Sequence, residues 1–213
     1  IASACGANWQ HYKDYGTLWG IDIAEASIDY CKARGFTNVV KADAHHLPFS
    51  DNSFDIVLAL DALEHFSDDR QVLAEIYRVL REGGTLIISS PAHALLWSQH
   101  DQAFHHHRRY SRRDLVNKVT AAGLSVTYVT YWSFLLFLPV LFMRRGRDLF
   151  SSLRKNKEPA TSDFSMKIPP FLMTLLDQLA RCEAFFIRRR ISLPCGVSIF
   201  CVARKEQGAS ACG

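Results

Sequence analysis

Two periodicities alternate along the first 132 residues: short apolar runs, and segments whose apolar positions recur every three or four residues. The runs "TLWGIDI" (17–23) and "NVVKADA" (38–44) predict strands. "FDIVLALDAL" (54–63) has no polar alternation, as expected of a central parallel strand covered on both faces. "TLIISSP" (85–91) and "LSVTYVTYW" (124–132) predict two more, and "GVSIFCVAR" (196–204) predicts a last strand that closes the sheet as an antiparallel edge. Between them, "ANWQHYKDY" predicts a short helix stopped by Gly16, and "AEASIDYCKARG" one stopped by Gly35. "SDDRQVLAEIYRVLREGG" carries Val72, Ile76, Val79 and Leu80 as one stripe with Gly83 as its stop. "SRRDLVNKVTAAG" opens on Ser111 and Asp114, spaced as a capping box. This alternation predicts an α/β fold with a parallel sheet.

The pattern changes over 133–195. "SFLLFLPVLFMRRGR" and "IPPFLMTLLDQLARCEAFFIRRR" flank the polar stretch "RKNKEPATSDFS". They predict two apolar helices, each ending in arginines, the first interrupted by Pro139. Neither reaches the ~20 residues of a spanning helix. They read as a helical cap on the core, or as interfacial helices meeting a membrane through 133–150 and 168–190. The expected organisation is a core over 1–132, the insert over 133–195, the last core strand over 196–205 and a tail over 206–213. Ile1 enters as if mid-strand, so upstream residues of the first strand are expected to lie outside this sequence.

With 213 residues, 48% hydrophobic and 22% charged, the composition is that of an ordinary globular chain with room for one sizeable core. The net charge of +4, spread over short clusters, gives no nucleic-acid stripe. The six cysteines form no CxxC pair, and no basic-then-apolar leader opens the chain, so a cytoplasmic location is expected.

Candidate chemistry collects at strand ends. A nucleoside needs a carboxylate at a strand tip for its ribose hydroxyls, and Asp22 ends the second expected strand. An acid beside a small residue at the next tip suits an adenine amino group, and "KADAHHLPF" offers Asp43 and Ala44. Both lie where open α/β sheets bind ligands.

"GIDIA", "ADAHHLPF", "NSFDIVLALDALEHF" and "EIYRVLREGGTLIISSP", in this order, resemble class I S-adenosylmethionine-dependent methyltransferases. The likeness is greatest to the small-molecule branch that includes the quinone-biosynthesis enzymes, and it covers about the first 90 residues. It implies a Rossmann-like, seven-stranded, mostly parallel sheet with an antiparallel last strand, helices on both faces and a helical insert before that strand. It also implies S-adenosylmethionine as cofactor. The family's glycine loop falls on Ala2, Ala4 and Gly6, with alanine at two glycine positions. Asp22 with Ile23 would take the ribose, Asp43 with Ala44 the adenine, and Leu60 or Asp61 the methionine side. The resemblance implies methyl transfer to a small or lipidic acceptor. A NAD-dependent dehydrogenase shares the loop and ribose acid but has no place for the "LPF…NSFD…LEH" series. A nucleic-acid methyltransferase would want an "NPPY"-type loop. The two substituted glycines also leave open a non-catalytic cofactor-binding or regulatory module.

At the acceptor side, "LDALEHF" supplies Asp61, Glu64 and His65. His65 with Asp61 forms the catalytic pair expected for proton removal and positioning; Glu64 and His65 could instead only fix the loop. The segment "HHHRRY" also resembles an HxRRY stretch in a bacterial subset of the family. There His106, Arg108, Arg109 and Tyr110, with Glu64, would line the acceptor pocket, as a clamp or as a basic loop. The three adjacent histidines diverge and have no ligand-spaced partner in sequence, so no metal site is expected.

Overall fold

The computed structural model describes residues 1, 9–153 and 170–207. The glycine-type loop positions Ala2, Ala4 and Gly6 lie outside the described residues. So do the middle of the insert and most of the tail.

Among the described residues, six strands form two hydrogen-bonded sheets. β1 (Gly20–Asp22) pairs in parallel with β2 (Val39–Lys41), joined through α1 (Glu25–Ala33). The second sheet has the order β3-β4-β6-β5, with β3 at Phe54–Leu60, β4 at Leu80–Pro91, β5 at Leu124–Trp132 and β6 at Ser198–Lys205. β3 and β4 are parallel; β6 is antiparallel to both its neighbours. The described residues give six strands in a two-plus-four arrangement rather than one continuous seven-stranded sheet as expected from the resemblance. Even so, Ile21 of β1 packs in the same apolar core as Val57, Leu86 and Ile88, so one core serves both sheets.

Three boundaries differ from the expected ones, each for a physical reason. The antiparallel last strand is interior rather than an edge: β6 lies between β4 and β5, and its Ile199, Cys201 and Ala203 are fully buried. α2 (Asp69–Val79) ends at Val79, not at Gly83; its stripe of Val72, Leu73, Ile76 and Val79 is buried, and Leu80 already belongs to β4. Pro139 does not interrupt the first insert helix, because α5 (Phe137–Leu153) begins two residues earlier. A proline in the first turn removes an N–H that has no intrahelical partner anyway.

Gly35 does close α1, at φ +85°, with its N–H bonded to the Lys32 carbonyl. The expected 7–15 helix resolves into two short 3-10 turns at Trp9–His11 and Lys13–Tyr15. α4 (Arg112–Ala121) opens on Ser111, whose hydroxyl accepts from the Asp114 N–H. The full capping box sits instead on the five-residue α3 (Gln99–Ala103), where Ser98 and Asp101 bond reciprocally.

The insert leaves the sheet at Trp132 and rejoins it at Gly196, where a Cβ would collide with the Trp132 backbone. Its two helices are tied down by buried charges. Arg144 of α5 reaches the Leu96 carbonyl, and Glu183 of α6 (Pro170–Arg188) accepts from the Ser133 N–H at 2.6 Å. Arg144 is therefore a core contact at 6% exposure and not one of a free arginine fringe.

Candidate functional site

The tips of β1 and β2 are adjacent and built alike. Asp22 pairs in register with Lys41, and the Ala42 N–H donates to the Asp22 carbonyl at 3.0 Å. Each acid turns its carboxylate onto the N–H two residues on. Asp22 Oδ1 accepts from Ala24 at 2.9 Å, and Asp43 Oδ1 from His45 at 2.9 Å. This Asx turn is the local device by which Asp bends a chain out of a strand. His45 Nδ1 also lies 2.6 Å from Asp43 Oδ1. The backbone and side-chain bonds from His45 hold the Asp43 carboxyl below its ordinary value, although its side chain remains half exposed. Ala44 beneath it is buried in the core, whereas Ile23 stands 69% exposed at the tip.

Between the facing edges of β1 and β3 lies a cavity of about 780 Å³, whose walls include Gly20, Ile21, Leu58, Leu60 and Asp61. Its size is that of small-molecule sites. Asp22 and Asp43 stand beyond its walls, at the strand tips. Leu60 and Asp61 line it where β3 ends, and Asp61 adopts φ +47°. The Asp61 N–H donates to the Ser89 carbonyl at 2.8 Å, while the Ser89 hydroxyl donates to Asp61 Oδ1 at 3.1 Å. Crowding around this carboxyl raises its pKa against the Ser89 bond.

One turn further, the 3-10 segment Leu63–His65 places Glu64 inside and His65 outside. Glu64 is fully buried; its Oε2 accepts from the Ser90 hydroxyl at 2.7 Å, while Oε1 has no partner. Burial pushes this carboxyl up to about 7. A buried carboxylate oxygen left unpaired costs on the order of 1–3 kcal/mol, so a native site needs a reason to hold one. His106 completes the group: its ring meets the His65 ring edge to face at 4.8 Å between centroids. Glu64, His65 and His106 each bring one ligand-type atom within 4.8 Å of the others. Burial, then the neighbouring histidines, lowers the His65 pKa, which keeps the ring neutral near pH 7.

Two buried acids hold this side in place. Asp101, fully buried, takes His106 Nδ1 at 2.9 Å and Arg109 Nε at 2.7 Å on one oxygen, and the Ser98 N–H at 2.9 Å on the other. Burial opposes its charge, yet these partners hold it at about 2. Asp69, at the start of α2, accepts from the Tyr110 hydroxyl at 2.6 Å, Lys118 Nζ at 2.9 Å and Arg108 at 3.2 Å. Arg108 also donates to the Ser67 carbonyl, and Arg109 to that of Ala92.

Arg108, Arg109 and Tyr110, expected at the acceptor, are therefore engaged within the fold, and Arg109 and Tyr110 are buried. Of the residues expected there, the structure gathers Asp61, Glu64, His65 and His106. The expectation of no metal ligand treated the three adjacent histidines as one set; the chain separates them and brings His106 to Glu64 and His65. Asp69, Asp101 and Ser90 were not anticipated. Only Asp101 had a readable signal, the S-x-x-D spacing from Ser98.

With this geometry in place, comparison with known proteins is specific. Residues 1–88 match the family described as "Methyltransferase domain". The chain is 44% identical over 68 residues to the phthiotriol/phenolphthiotriol dimycocerosates methyltransferase of Mycobacterium tuberculosis, covering 30% of this chain and 25% of that protein. It is also 44% identical over 54 residues to the ubiquinone/menaquinone biosynthesis C-methyltransferase of Haemophilus ducreyi, covering 25% of this chain and 21% of that protein. The matches span about a quarter of the length of these curated relatives. The crystal structure of an S-adenosylmethionine-dependent methyltransferase from Mesorhizobium loti superposes on 95% of this chain and 88% of its own, with a TM-score of 0.59 at 14% identity. That likeness speaks for the fold alone. Over residues 1–88 the chain is thus similar to S-adenosylmethionine-dependent methyltransferase domains, and the described fold is Rossmann-like. S-adenosylmethionine is the cofactor of this class, and two carboxylates at neighbouring parallel strand tips suit its ribose hydroxyls and adenine amino group.

Proposed function

We propose that this protein transfers a methyl group from S-adenosylmethionine to an oxygen, nitrogen or carbon of a small or lipidic acceptor. The observation that carries the reading is the paired tips of β1 and β2, with two Asx-turned carboxylates side by side. Asp22 holds the ribose hydroxyls, with Ile23 packing beside it. Asp43 receives the adenine amino group over the small Ala44, and Leu60 borders the methionine side. The cofactor supplies an electrophilic methyl group; alignment of acceptor and donor does much of the rest. On the acceptor side, Asp61 positions and His65, kept neutral by its surroundings, takes up the acceptor proton. Glu64 and His106 stand beside His65 on the same side. Arg108, Arg109 and Tyr110 serve as its scaffold rather than as a clamp.

The lipidic part of the reading rests on the insert. Leu138 and Phe142 lie one turn apart on α5, at 57% and 71% exposure, and Met173, Phe185 and Phe186 are exposed on α6. No described helix is long and apolar enough to cross a membrane. An apolar acceptor met at a membrane surface, from the cytoplasmic side, would use this face.

Titration calorimetry with S-adenosylmethionine and S-adenosylhomocysteine tests the central claim. Both should bind, and Asp22→Ala should weaken them by about tenfold or more through loss of hydrogen bonds to both hydroxyls. Absence of binding to the unaltered chain, or an indifferent Asp22→Ala, would defeat the reading.

A further inference from the structure

Glu64, His65 and His106 stand apart from the rest of the pocket in what they leave unsatisfied. Two imidazoles meet edge to face, and a fully buried carboxylate oxygen, Glu64 Oε1, has no hydrogen-bond partner. Methyl transfer as described above needs a base at most; it does not account for an acceptor oxygen buried beside two imidazole rings. The three donors come from three different constraints. Glu64 and His65 are neighbours on a 3-10 turn, with Glu64 Oε2 anchored by Ser90. His106 arrives from the far end of α3, its backbone N–H on the Asp101 carbonyl and its Nδ1 on the Asp101 carboxylate. That second contact matters most. A carboxylate on one imidazole nitrogen fixes the tautomer and presents the other nitrogen as a lone-pair donor, which is how proteins orient metal-binding histidines. The His107 N–H donates to the Glu64 carbonyl at 2.7 Å, pinning the two loops together.

We propose that Glu64, His65 and His106 bind one divalent transition-metal ion, with Asp101 as the positioning residue behind His106. Two imidazoles and one carboxylate are the donor set of ions such as Zn²⁺, Co²⁺, Mn²⁺ and Fe²⁺. Ligands about 2.1 Å from an ion stand roughly 3–3.5 Å apart, so the group, now within 4.8 Å, closes by about an ångström. His65 supplies that movement, being exposed on its turn.

Three protein donors leave open coordination positions, the arrangement of a catalytic rather than a structural ion. On the methyltransferase reading, from which this role follows, those positions face the acceptor. The acceptor class is then a molecule with a hydroxyl or enol oxygen. Once ligated, that oxygen gives its proton to solvent water and stays as an oxyanion on the ion. His65 then holds the metal instead of taking the proton itself.

Metal binding is measurable without any acceptor. The metal-stripped full chain is titrated with Co²⁺ followed by its visible absorption, and with Zn²⁺ in competition with a chromogenic chelator. One ion per chain is expected. His65→Ala, which removes an exposed ring whose own hydrogen bond is to the Phe104 backbone, should weaken binding by about tenfold or more in a chain that still unfolds cooperatively. Glu64→Gln should weaken binding likewise, His106→Ala should lose it together with some stability because buried Asp101 is left short of one partner, and His105→Asn should bind as the unaltered chain does. Lack of binding to the unaltered chain, or unchanged binding in His65→Ala and His106→Ala, would overturn the site. S-adenosylmethionine calorimetry on the same stripped sample separates the two proposals. Ion binding without cofactor binding upholds the metal site and defeats the methyltransferase reading; cofactor binding without ion binding does the reverse.

Discussion

The two halves of the site are held by opposite means. At the proposed cofactor half, an acid ends one three-residue strand (Asp22) or follows the other by two residues (Asp43), and each is satisfied locally by an N–H two residues away. At the acceptor half, longer strands carry loops cross-braced by buried acids whose partners lie up to 49 residues away. A local device leaves a carboxylate at the strand tip, near the surface. A buried hub instead consumes its charges to fix loop geometry, because an ion taken out of water must be fully paired. On the proposed function, the same residue types thus serve binding on one side and architecture on the other.

The comparison breaks first at Asp101. Asp101→Ala should cost about 3–5 kcal/mol, since it removes the carboxylate that buried Arg109 and His106 share. Urea unfolding measures it, and a loss under about 1 kcal/mol would mean the hub is not structural.

Asp69 comes next. Burial opposes its charge, but Tyr110, Lys118 and Arg108 outweigh that and keep its carboxyl below the ordinary value. Its stabilising contribution is present at neutral pH and fades as the medium is acidified through the carboxylate range. Asp69→Asn should lower stability by about 1–3 kcal/mol at pH 7 and flatten the acid limb of a stability–pH curve.

On the cofactor side the effect should move from stability to affinity. Asp43→Ala should weaken S-adenosylmethionine by up to about tenfold in calorimetry, with folding stability within about 0.5 kcal/mol of the parent. A stability loss as large as that of Asp69→Asn would erase the distinction between the halves.

The smallest change concerns the insert. Phe142→Ser on the exposed face of α5 should leave the thermal transition in place but reduce co-sedimentation with anionic vesicles. If the unaltered chain does not sediment with vesicles, the membrane part of the proposal falls.

What could be read from residues alone follows the same divide. The places of Asp22 and Asp43 at strand ends were legible because an apolar run followed by an acid is a local pattern. So were Glu64 and His65, which sit directly after an unbroken strand. The roles of Arg109 and Tyr110 were not, because exposed and buried arginines look alike until Asp101 and Asp69 are brought to them. Nor does local alternation reveal order within a sheet: "GVSIFCVAR" reads as a strand, but nothing in it says that β6 sits between β4 and β5 rather than outside them. Likewise Leu80 fits the stripe of α2 equally well as helix or strand, and only its pairing with Phe54 decides.

That interior place for β6 bears on how the chain is made. During synthesis β5 emerges long before its only sheet neighbour among the described strands, with the whole insert in between. Until Ser198–Lys205 leave the ribosome, β4 and β5 expose edges of unpaired amides, and nascent chains stalled within the insert should be prone to edge-to-edge association.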